Sequence, residues 1–351
     1  MLDQHKAAGA EIGEYFGVRL PARFGDFEGE YRAARSTCAL ADTNFKAVFA
    51  FSGPDRQRYL NAVLTSNVRD LQPGQGAIGL LLTPQGHILA EIETYALADR
   101  ILAVSHAVVQ TRTFSTLEKF IIMDDVTLED VTASTGTLML VGPRAGEVIS
   151  KLSGADLSVM PPFSHIEAMI GSVSCRIVRK TWGNLTAATF IVAREHLGAL
   201  WSLLEQSVRG HGGAPAGLEV LNSVRLESGI AWFGYDFDDK VIPHEAGLEQ
   251  SHISYEKGCY TGQEIIERVR SRGHVNRRLT GLKFPSGVRP APGTKVTAAQ
   301  SEVGQVTSTA FSPLLGSPAG FAYLRREYSA AGTRLDASGV PAEVIPLPLP
   351  A

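Results

Sequence analysis

The stretch Lys257-Gly258-Cys259-Tyr260-Thr261-Gly262-Gln263-Glu264-Ile265-Ile266-Glu267-Arg268-Val269-Arg270-Ser271-Arg272-Gly273 holds the densest chemistry of the chain. Thr261 and Glu264 have capping-box spacing, in which a hydroxyl meets the backbone N–H three residues on and the carboxylate returns to the first N–H. A helix is therefore expected to begin there, with Ile265, Ile266 and Val269 as its apolar stripe and Gly273 as a left-handed terminator. Cys259 then lies just before a helix N-terminus, close in sequence to Lys257, a setting that favours a thiolate. Arg268, Arg270, Arg272, Arg277 and Arg278 face only Glu267 between Ile265 and Arg278, so an anionic ligand tail or direct RNA contact is one reading and a solvated helix face the other.

Around this stretch the chain reads as strands and helices of ordinary size. Phe49 to Phe51 runs as a strand into Ser52-Gly53-Pro54, after which Tyr59, Leu60 and Val63 have helical spacing. Leu138 to Val141 runs likewise into Gly142-Pro143 before Val148, Ile149 and Leu152, which suggests two related α+β halves. Ile78–Leu82 and Ile88–Tyr95 read as a hairpin closed through Pro84-Gln85-Gly86-His87. Val173, Cys175 and Ile177 alternate as a half-buried strand, Thr189–Ala193 is another, and a helix from about Arg194 carries Leu200, Leu203, Leu204 and Val208 on one face. From Leu279 short strands separated by Pro285, Pro290, Pro292, Pro313 and Pro318 indicate an all-β C-terminal domain, and the last residues, Ile345-Pro346-Leu347-Pro348-Leu349-Pro350, are expected not to pair within a sheet and to trail along the surface.

The 351 residues, 44% hydrophobic and 20% charged, exclude a disordered or fibrous chain, and a formal net charge of -3 offers no global attraction to nucleic acid or an anionic membrane. Three cysteines far apart, without a C-x-x-C pair, suggest neither a disulfide framework nor a zinc site. No stretch approaches the ~18 apolar residues of a membrane span, and the N-terminus lacks a charged-then-apolar leader, so no membrane partner and the cytoplasm are the expectations.

Lys257 to Glu264 resembles the K-G-C-[FY]-x-G-Q-E signature of the YgfZ-type folate-binding proteins. The wider chain resembles their parent superfamily, the tetrahydrofolate-dependent aminomethyltransferases or T-proteins of the glycine cleavage system. The likeness shows in Leu20-Pro21-Ala22-Arg23-Phe24-Gly25, in Phe51-Ser52-Gly53-Pro54-Asp55, in Arg225-Leu226-Glu227-Ser228-Gly229, in Gly234-Tyr235-Asp236 and in Gly304-Gln305-Val306. It implies an α+β, three-lobed folate-binding fold: residues 1–275 as two intertwined α+β subdomains, and residues 276–351 as a C-terminal β-barrel. It also implies tetrahydrofolate in a central channel. Iron–sulfur enzymes or assembly factors are the implied partners, and support of tRNA modification the implied role.

The departures bear on chemistry. T-proteins carry G-G-x-x-D-D where this chain has Gly86-His87-Ile88-Leu89-Ala90-Glu91, and R-T-G-Y-T-G-E where it has Lys180-Thr181-Trp182-Gly183-Asn184. The expected reactive centre is Cys259 with Lys257, and Glu91 is the carboxylate that would handle an amine proton if the chain is instead a folate-dependent aminomethyltransferase or demethylase. Glu91 and Glu93 share a strand face. Arg225 suits a folate carboxylate, or else an internal ion pair. Asp236 is placed in the same channel, and Trp182, Trp232, Tyr235 and Tyr260 are candidates to contact the flat folate rings.

Overall fold

The computed structural model describes residues 1–350. Two units of the same topology follow one another. In the first, strand Lys46–Ser52 passes through Gly53-Pro54 into helix Arg56–Val63, then strands Gly76–Leu82, Ile88–Ala96 and Ile101–His106, a 3-10 turn and helix Gln110–Phe120. In the second, strand Thr135–Val141 passes through Gly142-Pro143 into helix Ala145–Ser153, then strands His165–Ile170, Val173–Trp182 and Leu185–Ala193, a 3-10 turn and helix Leu197–Gly210. The sheet order repeats too: the three later strands follow in sequence and the first strand pairs beside the last of them. Thr127–Asp130 adds a fifth strand to the first sheet, while Ala39–Asp42 and Ala214–Pro215 extend the second to six.

The two turn glycines explain why the repeat shows in sequence. Gly53 has φ +97° and Gly142 φ +140°, and a side chain there would stand 2.2 Å from the Asp125 carbonyl oxygen or 2.5 Å from that of Thr37. Only glycine accepts both the backbone angle and the approach.

Alternation within the strands creates two buried faces per sheet. Ala47, Phe49, Phe51, Ala90, Ile92 and Ala103 pack under Tyr59, Leu60 and Leu117 of the first unit's helices. Leu138, Leu140, Cys175, Ile177, Phe190 and Val192 pack under Val148, Leu200, Trp201 and Leu204 of the second. The opposite faces meet each other: Val48, Tyr95 and Val104 of one sheet touch Val178 and Ile191 of the other. Burying a Val, Leu or Phe side chain contributes roughly 1.5–3 kcal/mol, so these faces hold the halves together without polar help.

A six-stranded closed barrel follows, Arg277–Lys283, Ser317–Arg325, Ser301–Ser312, Lys295–Ala298, Arg334–Asp336 and Pro341–Ile345 in spatial order. The fold is thus the mixed α and β architecture with a terminal barrel that the sequence implies. The last two barrel strands, of three and five residues, are not evident in the sequence. The C-terminal segment also differs from expectation. Ile345 pairs with Gly281, Leu347 packs on Gly229 and Gly281, and the Leu349 N–H donates to the Glu227 carbonyl at 2.8 Å. Glycines at 229 and 281 leave the space that Leu347 fills.

Candidate functional site

Between the facing sheets and the barrel lies a cavity of about 930 Å³. Its walls come from every part of the chain: Lys46, Glu91, Glu93 and His106 from the first unit, Lys180 and Trp182 from the second, Trp232, Ser251 and His252 from the following loops, Phe321 from the barrel, and Ile345 and Leu347 from the tail. Alternation puts Glu91, Glu93 and Tyr95 on the cavity side of their strand, while Ala90 and Ile92 face the helices.

Glu91 is held between two imidazoles, His106 Nε2 at 3.2 Å and His252 Nε2 at 3.1 Å. Burial works to raise its pKa, but the hydrogen bonds from the two histidines outweigh burial and hold it well below the usual carboxylate range. His252 Nδ1 in turn meets Ser251 Oγ at 2.7 Å, at the exposed end of the cluster. Glu93 pairs with Lys180 at 2.5 Å and accepts the Tyr95 hydroxyl. Burial again opposes its ionisation, and Lys180, through its charge and its hydrogen bond, leads in bringing its pKa below the ordinary value. Lys180 also stands over the Phe163 ring, 4.8 Å from its centre.

Two buried nitrogens on the cavity wall have no hydrogen-bond partner, Trp182 Nε1 and His106 Nδ1. Buried polar groups are normally satisfied, so an unpartnered N–H on a cavity-lining residue is a candidate donor to a ligand acceptor. Flat aromatic walls, an unspent donor and charges of both signs fit a folate, whose rings are planar and carry donors and acceptors on their edges. Among the described residues, no group of three or more His, Cys, Asp or Glu side chains is arranged to hold a metal ion.

The structure brings Glu91 and Trp182 together in this cavity, with Trp232 and Glu93, and places the other expected site residues outside it. Arg225 is fully buried and spends all five N–H donors internally. It donates to Asp236, to Asn222 at 2.7 and 2.9 Å, to the Ile230 carbonyl at 3.1 Å and to Ser308 at 2.8 Å. It is therefore not free for a folate carboxylate in this arrangement. Asp236 also takes the Thr307 and Ser308 hydroxyls, so the pair joins helix Leu218–Glu227 and its following loop to barrel strand Ser301–Ser312. Tyr235 packs edge-on against Phe16, 4.7 Å between ring centres.

The segment Lys257 to Glu264 is also built differently from its sequence pattern. The helix runs Gln263–Arg272 from Gly262, with no side-chain cap, so the Thr261–Glu264 box does not form. Glu264 instead pairs with Arg268 at 2.8 Å. The cause is Gly262, whose φ of +83° turns the chain out of the cap conformation as it passes 2.6 Å, measured from a Cβ built there, from the Thr83 carbonyl. The helix thereby docks on the hairpin: Ile265 abuts Gly86, and Ile266 packs with Leu80, Leu82 and Ile88. Gly273 ends it with φ +99°, as its sequence implies.

Lys257 is buried and donates to the Asn61 and Leu64 carbonyls at the end of helix Arg56–Val63, where a cation complements the dipole. It makes no hydrogen bond to Cys259; burial lowers its pKa to about 8. Tyr260 is buried with Lys257 over its ring, 5.0 Å from the centre. Cys259 is exposed, whereas Cys38 and Cys175 are buried with thiols pushed up to about 11 by burial. Of the arginines proposed as an anion patch, Arg268, Arg270 and Arg277 pair with Glu264, Glu267 and Glu245, and Arg278 lies at the exposed rim of the cavity. Sequence reasoning missed Lys46, His106 and His252. The first two are cross-strand partners facing the cavity, visible only once the register of Lys46–Ser52 with Ile101–His106 is known.

Comparison with known proteins places this architecture. The GCVT N-terminal domain model matches residues 1–254, and the glycine cleavage T-protein C-terminal barrel domain model matches residues 277–349. The chain belongs to the GCVT family. Similar relatives are the aminomethyltransferases of Rubrobacter xylanophilus (26% identical, covering 99% of this chain and 92% of the relative) and of Streptomyces coelicolor (28%, covering 98% and 95%). The fold is that of the glycine cleavage system aminomethyltransferase T from Bartonella henselae, with a TM-score of 0.88 at 23% identity over 99% of this chain and 96% of that one. Aminomethyltransferases of the GCVT family use tetrahydrofolate. No helix of this GCVT member is long and apolar enough, among the described residues, to cross a membrane.

Proposed function

We propose that this GCVT-family chain binds tetrahydrofolate or a derivative in the cavity between its two repeats and uses it in one-carbon transfer involving a small amine. The observation that carries the reading is the cavity, with its aromatic walls, the unpartnered Trp182 N–H and the carboxylate of Glu91. When bound, tetrahydrofolate supplies the nitrogens that carry the one-carbon unit. Trp182 and Trp232 offer flat faces and Trp182 Nε1 a donor to a ring acceptor. Glu91, kept ionised by two imidazoles, is a weak base, so it serves a cationic amine as an electrostatic partner rather than as a proton acceptor. The replacement of a T-protein aspartate by Ala90 removes nothing from the cavity, because residue 90 faces the helices.

A second reading rests on Cys259. The exposed thiol in a segment that resembles the YgfZ-type signature supports an accessory role in assembly or repair of iron–sulfur enzymes, and through them tRNA modification. The direct route to a decision is calorimetric titration with tetrahydrofolate and its methylene derivative, followed by a turnover assay with small N-methyl amines. Turnover that disappears in Glu91→Gln supports transfer. Binding without turnover, with rescue of iron–sulfur enzyme activity in cells lost in Cys259→Ala, supports the accessory role. Absence of binding overturns both.

A further inference from the structure

Lys46 lines the cavity and is used by neither reading. It stands opposite His106 across the strand pair, and its Nζ lies 3.2 Å from His106 Nε2. Among the described residues, no carboxylate oxygen comes within salt-bridge distance of it; Glu93 is taken by Lys180 and Tyr95, and Glu91 by the two histidines. Its other neighbour is the Phe45 ring, 5.4 Å to the centre.

The direction of the hydrogen bonds decides its protonation. A Glu91 carboxylate can only accept, so each imidazole nitrogen that meets it must carry a proton. His252 satisfies this with Nε2–H towards Glu91 and Nδ1 accepting from Ser251. His106 must likewise point Nε2–H at Glu91, and that same nitrogen is the polar atom facing Lys46. An ammonium at Lys46 would set donor against donor, whereas a free amine accepts a share of the Nε2–H. Burial lowers the Lys46 pKa, reinforced by Lys180 and opposed by Glu93 and Glu91.

We propose that Lys46 is a nucleophilic amine that captures small aliphatic aldehydes inside the cavity as a Schiff base. The nitrogen lone pair forms the C–N bond while the carbonyl π pair moves to oxygen. The two protons leaving nitrogen pass through solvent water to that oxygen, and water departs. No oxidant or reductant is required for the step. Lys180 in the same cavity is paired with Glu93 and is the internal comparison. The activity does not depend on folate binding, so calorimetry with tetrahydrofolate tests the previous reading separately.

The experiment is reductive trapping with substoichiometric isotope-labelled formaldehyde and cyanoborohydride. The labelling rate of each lysine is read by peptide mass spectrometry from pH 6 to 10. At pH 7 Lys46 should label about tenfold faster than exposed Lys240 for each unit by which its pKa lies lower, the advantage shrinking towards pH 10. Lys180 should label more slowly than Lys46 throughout. Glu91→Gln, which lets His106 turn an acceptor to Lys46 and restores the ammonium, should reduce the advantage at pH 7 at an unchanged circular dichroism spectrum. Lys46 labelling no faster than Lys240 at pH 7, or not labelling at all, overturns the proposal. So does labelling in which Lys180 outpaces Lys46, or an advantage that survives Glu91→Gln in full.

Discussion

The two repeats share connectivity, sheet order and a Gly-Pro turn, yet their hairpin strands carry opposite chemistry to the cavity. Ile88–Ala96 of the first presents Glu91 and Glu93, and Val173–Trp182 of the second presents Lys180 and Trp182. The faces turned to the helices differ far less: Ala90 and Ile92 on one strand match Cys175 and Ile177 on the other as packing residues. A duplicated scaffold can thus keep one face for stability and diversify the other, because alternate strand residues never share an environment. The Glu93–Lys180 pair is where the divergence becomes complementary, joining the repeats across the cavity.

Breaking that joint should give the largest effect. Lys180→Met strands the Glu93 carboxylate in a buried site and is expected to cost about 3 kcal/mol in chemical denaturation. The double variant with Glu93→Gln should regain most of this, and a single variant as stable as the parent would show that the repeats do not depend on the pair.

Next in size is a pH response from His165 in the second repeat. His165 is buried against Tyr95, Arg176 donates to its Nδ1 at 3.0 Å, and burial lowers its pKa to about 4 from 6.5. A depressed histidine leaves the unfolded chain binding more protons between these values, so its contribution is whole above pH 6.5 and is lost as pH falls towards 4. The expected loss is about 2 kcal/mol after allowance for solvent screening. Denaturation midpoints measured against pH should flatten in this window in His165→Gln. The first repeat's corresponding strand, Gly76–Leu82, has no titratable residue and should add no such dependence.

The shared turn supplies a matched pair. Gly53→Ala and Gly142→Ala each force a left-handed angle on an L-residue and a Cβ onto a carbonyl, at about 1–3 kcal/mol apiece. Similar losses in thermal denaturation confirm equivalent turns; a tolerated Gly142→Ala would break the equivalence. The smallest expected effect is Trp182→Phe, which keeps a flat face but removes the Nε1 donor. One neutral hydrogen bond is about 1 kcal/mol, so the Kd for tetrahydrofolate should rise about fivefold in the calorimeter with fold stability unchanged.

Local patterning made the elements legible. The Gly-Pro turns, the hairpin around Gly86 and the stripe Leu200, Leu204 and Val208 follow from spacing and backbone preference alone, and the structure has them there. The likeness to aminomethyltransferases extended this to the family and the barrel. The site was only partly legible. Glu91 and Glu93 could be placed on one face by counting, but not their partners, since His106, His252 and Lys180 arrive from separate elements.

The misplacements have one physical cause. Arg225 and Lys257 carry charges whose fate is set by whichever acceptors the fold brings within about 3 Å, and those acceptors, Asp236 and Ser308 or the Asn61 and Leu64 carbonyls, come from packing. At Thr261 the sequence offered a good cap, and the close approach of Gly262 to Thr83 overrode it. Sequence by itself therefore determined the strands, helices, turns and family of this chain, because those depend on residue type and spacing. Only tertiary structure decided which charges face the cavity and which are consumed inside the protein, because hydrogen-bond partnership depends on register and on contacts between residues distant in the chain.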